Sequence, residues 1–129
     1  MLALTALLLL SCGKSSTPAP ATSVTDVIAN GVEAEIGDSA ERHALLELTR
    51  DMDLEIAEFT QRSISLLDEL TALDANREAT RSDFDKLVER LASDRRETMT
   101  RIAKIRIKMR EKMSAKQWQA VHAKLNKKG

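Results

Sequence analysis

The chain has 129 residues with 20 basic and 20 acidic side chains, and aromatic residues make up 2%. That length holds one domain at most; few aromatics, Gly or Pro and no β-branched alternation argue against a sheet and for an all-α fold. The zero net charge hides a division: residues 26–74 carry 13 acids against 3 arginines, and residues 95–129 carry 12 bases against 2 acids, so the two halves are electrical opposites.

Met1–Ser11 is apolar but shorter than the roughly 20 residues a membrane span needs, and reads as the core of a signal peptide. It closes on Leu9-Leu10-Ser11-Cys12-Gly13, which resembles a bacterial lipobox, although Leu10 is bulkier than usual and no Lys or Arg precedes the apolar run. The resemblance implies that Cys12 is lipidated on its thiol, becomes the mature N-terminus and anchors the protein to a membrane. Gly13 after it resembles lipoproteins sorted to an outer membrane, which implies a periplasmic domain. Cys12 is the sole cysteine, so no intramolecular disulfide is possible. Residues 13–23 are small, polar and Pro-containing, a spacer between anchor and domain. The expected organisation is a signal peptide over 1–11, an anchor and tether over 12–23, a linker over 24–37 with room for a short helix ending at Asn30–Gly31, and a helical hairpin domain over 38–129.

Asp38 with Glu41 predicts a helix start. Leu45, Leu48, Met52, Ile56, Phe59, Leu66, Leu70 and Leu73 then recur at helical spacing, predicting a helix from about Ser39 to Leu73 that ends at Asp74-Ala75-Asn76. Ser63 interrupts the stripe. After a turn at 77–81, Ser82 is the expected N-cap of a second long helix reaching Met113, with Phe84, Leu87, Val88, Leu91, Met99, Ile102, Ile105, Met109 and Met113 on one stripe. This stripe weakens at Asp94, Arg95 and Thr98. Ser114 and Gln117 form a capping box, flanked by Met113 and Trp118 as a hydrophobic staple, so the only Trp clamps the kink before a short final helix.

Two long helices and a short turn form an antiparallel hairpin with a short third helix. Folding about residues 77–78 sets Ile56 near Met99, Phe59 near Arg96 and Leu48 near Ile107. It also lays Glu47, Asp51, Asp53, Glu55 and Glu58 alongside Arg101, Lys104, Arg106, Lys108 and Arg110. Such exposed pairs choose orientation more than they stabilise. A lone hairpin buries too little to hold itself, so either two copies form a homodimer or residues 24–36 and 115–126 wrap the stripe.

Arg106–Leu125 resembles the small periplasmic helical proteins of the Spy/CpxP type, whose repeated motif is Leu-Thr-x-x-Gln. Met113-Ser114-Ala115-Lys116-Gln117 is a conservative version, and Leu48-Thr49-Arg50-Asp51-Met52 matches the first half. The resemblance implies cradle-shaped helical dimers that bind unfolded or stress-signalling proteins, some with metal links.

No phosphate-binding loop, catalytic triad order or Cys pair is present, so no catalytic residue and no cofactor is expected. His43 and His122 lie far apart without ligand spacing, the methionines fall at packing positions, and no metal site is expected. The basic run on a helix reads as a solvated face, and an exported protein makes nucleic acid an unsuitable partner. The expected function is a lipid-anchored periplasmic protein that binds other proteins, chaperone-like or as an envelope-stress modulator. Its expected binding surface is Met99, Arg101, Lys104, Ile105, Arg106, Lys108, Met109 and Arg110. The alternatives are a structural envelope lipoprotein acting as spacer or oligomerisation rod, and a metal-sensing or resistance accessory protein.

Overall fold

A computed structural model describes residues 23–128; the expected signal peptide, Cys12 and nearly all of the expected tether lie outside the described residues. Four α-helices follow in order: α1 (Val24–Glu35), α2 (Ala40–Ala75), α3 (Arg81–Glu111) and α4 (Ala115–His122), then a single 3-10 turn, Asn126–Lys128. The described chain is all-α, as its composition indicates. The long antiparallel pair α2–α3 is the frame, and α1 packs against both α2 and α4.

The helix boundaries follow local chemistry. Ser23 opens α1 with a capping box to Asp26. Ser39, in extended conformation, caps α2 by accepting from the Arg42 N–H at 3.2 Å. Asp38, expected at this start, instead lies 3.8 Å from His43 in solvent. α2 runs two residues beyond Leu73, and Asn76 ends it, its side-chain carbonyl accepting from the Glu78 N–H at 3.0 Å. Thr80, rather than Ser82, caps α3. Its hydroxyl accepts from the Asp83 N–H, and Asp83 accepts back from the Thr80 N–H at 2.8 Å. Ser82 with Asp85 offers the same spacing, but the reciprocal bonds that satisfy two orphan donors at once form at Thr80 and Asp83. Ser114 and Gln117 form the expected box at α4.

α1 does not stop at Gly31. It continues four more residues, and Gly31 has helical rather than left-handed backbone. A Cβ at Gly31 would stand 3.1 Å from the Val121 Cα and carbonyl oxygen. This glycine therefore marks where α1 and α4 cross at close range. Its partner, Val121, is fully buried, as is Val32 one residue on.

The main core is gathered at one end of the frame. Ile28 and Val32 of α1 and its C-cap Ile36 meet Leu45 and Met52 of α2, Met109 of α3, Met113 and Val121. Trp118, Leu125, Ile102 and Ile105 close its edge. Residues 24–37 are thus an integral wall of the folded unit, and α1 and α4 together wrap this end of the stripe. We call this end the base. The remainder of α2 and α3, from about Leu54 to Arg101, projects as a two-helix arm whose tip is the turn at 76–80. Along the arm only Leu66 and Leu87 are buried apolar residues.

Three ion pairs set the register: Glu55–Arg101, Arg62–Asp94 and Glu69–Arg90. They agree with the predicted antiparallel alignment to within one helical turn. The expected row of ion pairs at the open end does not form. Among the described residues only Arg101 of the basic set reaches an acid of α2. Asp53 turns instead to α1, accepting from the Thr25 hydroxyl at 2.7 Å, and Glu58 pairs with Arg62 of its own helix. Glu47 and Asp51 share an open groove with Lys108 and Lys112 without pairing.

Candidate protein-binding face

The eight residues expected to form one binding surface divide between different sides of α3, because about 100° of rotation per residue separates neighbours. Met109 is 1% exposed in the base core and Ile105 packs against that core, so neither is available to grip a partner in this fold. Arg101 is engaged by Glu55 at 2.8 Å. Lys104, Arg106, Lys108 and Arg110 are exposed, and Met99 is 51% exposed. Lys104 and Lys108 share the side on which Arg101 meets α2, while Met99 and Arg106, seven apart, lie on the other.

The first side of the arm is polar. Arg62 donates from Nε to Asp94 at 2.7 Å and from Nη2 to the Thr98 hydroxyl at 3.1 Å. Arg101 donates to the same hydroxyl at 3.3 Å. Thr98 is fully buried beneath the two guanidiniums. Nearer the tip, Arg90 and Glu69 form a bidentate pair at 2.6 and 3.1 Å. That hydrogen bonding lowers the Glu69 pKa and raises that of Arg90. The Glu55 carboxylate likewise raises the Arg101 pKa, chiefly through its hydrogen bond. The apolar stripe weakens at Asp94 and Thr98 for this reason: both positions serve the guanidinium of Arg62 from the opposite helix.

The second side is apolar. On α2, Leu45, Thr49, Met52, Ile56, Ser63, Leu67 and Leu70 follow at steps of three, four and seven, so they share one side of the helix. At the base this stripe is buried beneath α1. Along the arm nothing covers it among the described residues. Leu67 is 58% exposed, Val88 63%, and Leu70, Leu91 and Ile56 remain open. Ser63, Leu66, Leu67, Leu70, Leu87, Val88 and Leu91 enclose an apolar groove of about 230 Å3 between the two helices. The Ser63 hydroxyl is buried at its floor without a hydrogen-bond partner.

Sequence reasoning placed Leu70, Val88 and Leu91 in the hairpin interface and left Leu67 out. The available signal was the pair of adjacent apolar residues on each helix, Leu66-Leu67 and Leu87-Val88. Neighbours 100° apart cannot both point at one partner helix: Leu66 and Leu87 turn inward, and Leu67 and Val88 turn to the open side.

The aromatic clamp is formed: Met113 is buried, Trp118 packs on the base core, and its ring meets that of His122 with centroids 3.9 Å apart. His122 also hydrogen-bonds the Trp118 carbonyl through Nδ1 at 2.9 Å, so it is tied into α4, while His43 stands beside Asp38 in solvent. Among the described residues no three His, Cys, Asp or Glu gather as metal ligands, and no helix is long and apolar enough to cross a membrane. No family model, curated protein or solved structure matches the chain.

Proposed function

We propose that this is a lipid-anchored periplasmic protein, tethered through Cys12 to the outer membrane, whose arm binds other proteins in a chaperone-like or stress-modulating role. The observation that carries the reading is the uncovered apolar side of the arm, centred on Leu67, Leu70, Val88 and Leu91. Contiguous exposed apolar surface rimmed by polar residues suits a protein partner. Met99 extends this surface towards the base, and the exposed Lys104, Arg106, Lys108 and Arg110 steer acidic segments towards it. The gripping role expected for Met109 and Ile105 passes to Leu67 and Val88.

The test is light-scattering aggregation of an unfolding model protein in the presence of residues 12–129 carrying Cys12→Ser. Protection at a few-fold excess is expected, with Leu67→Asn removing most of it. High salt slows capture by screening the basic edge but leaves the apolar grip. No protection at any ratio overturns the reading. One observation favours a second role: α2, at 36 residues, is roughly 54 Å long and is tied to α3 by three cross-helix ion pairs. That geometry suits a spacer in a structural envelope lipoprotein, which would show an envelope defect on deletion and no client protection.

A further inference from the structure

The outer side of α3 carries a charge pattern that the hairpin itself does not use. Asp94, Thr98 and Arg101 mark the side bonded across to α2. At about 100° per residue, Arg95, Arg96, Met99, Arg106, Ile107 and Arg110 fall within roughly 120° on the side turned away from it. All six are exposed, Ile107 at 56%. Beyond Met113 the chain turns onto α1, which leaves this side open. Glu97 is the one acid between Arg95 and Arg110, and it points back towards Arg101. Arg96 reaches Glu89 at 3.2 Å, which closes the pattern at the tip end. Among the described residues Arg95, Arg106 and Arg110 join no ion pair. The lysines of this stretch, Lys104 and Lys108, lie where Arg101 meets α2, and Lys108 shares its groove with Glu47 and Asp51. The inner side thus mixes both signs, and the outer side holds arginine alone, interleaved with Met99 and Ile107.

We propose that this side of α3 lies on an anionic bilayer surface, with the arginines against lipid phosphates and Met99 and Ile107 entering the headgroup layer. Arginine is the base suited to that place. Its planar fork gives a phosphate two hydrogen bonds, and its apolar stem packs beside Met and Ile while the charge stays in water. The shape also fits a flat surface, since the pattern runs straight for about 23 Å along one uninterrupted helix. An acidic protein segment or a nucleic acid supplies the charge but no apolar layer for Met99 and Ile107. A headgroup region supplies both, which is how amphipathic helices rich in bases lie on membranes. The contact is weak by itself, and a tether strengthens it by raising the local concentration. Eleven residue steps separate Cys12 from Ser23, at most about 40 Å of chain, so a lipid on Cys12 and this side of α3 reach the same leaflet. The surface goes beyond client capture and does not rest on it. Arg106 and Arg110 serve a client or the bilayer, one at a time.

The experiment is flotation of residues 12–129 carrying Cys12→Ser with vesicles of phosphatidylcholine, alone or with about one-third phosphatidylglycerol, at about 0.1 M salt. Binding to the anionic vesicles and not to the neutral ones is expected. Arg106→Gln and Arg110→Gln each weaken it about fivefold, the worth of one cation at such a surface. Lys112→Gln removes the same charge two residues beyond Arg110 but beside α2, and leaves binding unchanged. Ile107→Ser weakens vesicle binding with no change in charge. All four positions are exposed, so circular dichroism should show the helix content of the parent chain. No flotation with anionic vesicles, equal flotation with neutral ones, or equal losses from Lys112→Gln and Arg110→Gln would overturn the proposal. So would indifference to Ile107→Ser, which leaves a charged side that any polyanion satisfies. Client protection without vesicle binding refutes the membrane contact and leaves the functional reading standing. Vesicle binding without client protection does the reverse.

Discussion

The base and the arm share the same two helices and the same heptad stripe, yet they have opposite surfaces. Leu45 and Met52 at the base are buried, while Leu67 and Leu70, continuing the same α2 stripe, are open. The difference lies in what is laid over them. Residues outside the hairpin, α1 and α4, cross the base at the glycine contact and stop there. An apolar stripe therefore states only that a surface wants cover; whether the cover comes from the same chain depends on how far its short helices reach.

The largest break in this contrast comes from truncating one residue on each side of it. Leu45→Ala removes a fully buried side chain and is expected to cost about 2–5 kcal/mol, whereas Leu67→Ala in the monomer changes stability by no more than about 0.5 kcal/mol. Urea unfolding at a concentration too low for association reads both. Equal effects would mean that the arm is covered within one copy. Next, Gly31→Ala sets a methyl 3.1 Å from the Val121 backbone, which cannot yield as a flexible side chain does. The expected cost is about 1–3 kcal/mol, offset in part by the better helix propensity of Ala. Unfolding followed by Trp118 fluorescence measures it, and faster hydrogen exchange in α1 would show that the base cover has loosened.

A smaller effect sharpens the distinction between the two sides of the arm. Arg62→Met removes the donor shared by Asp94 and Thr98, and because Arg62 is partly exposed the loss is about 1 kcal/mol. Hydrogen exchange should rise around 94–98 and remain unchanged in α1. The smallest effect is acid sensitivity near the tip. Glu69 is held below its ordinary 4.5 by hydrogen bonding to Arg90, and Asp83 below its ordinary 3.8 by the Thr80 N–H and hydroxyl. Folded-state values below the unfolded ones mean that this stability is fully present above about pH 4.5 and is lost as pH falls through the lowered values. Amide protection factors, taken relative to the slower intrinsic exchange in acid, should therefore fall at 80–84 and 66–70 below that pH while the apolar base holds.

Much of the frame was legible because it is local. The capping box at Ser114, the staple of Met113 and Trp118, and the stop at Asn76 depend on residues within a few positions of one another. The start of α3 lies two residues before the expected one because Thr80 with Asp83 and Ser82 with Asp85 offer the same local pattern, and the reciprocal bonds form at the first. Gly31 was read as a stop because composition cannot separate a glycine needing left-handed backbone from one needing proximity. The charge halves predicted orientation correctly but not pairing. Long side chains choose among neighbours only once rotation about each helix is set, and Asp53 and Glu58 found closer partners. The binding face was the least legible part, since Met109 and Met99 have the same chemistry and differ only in the side of α3 they occupy.

By itself the sequence determined the helical class, the hairpin and its antiparallel sense, since apolar period, caps and opposed charge are properties of short windows and whole segments. Tertiary structure alone decided which turns of one stripe became core and which became surface. Burial is a relation between segments, and α1 and α4 reach the base but not the arm.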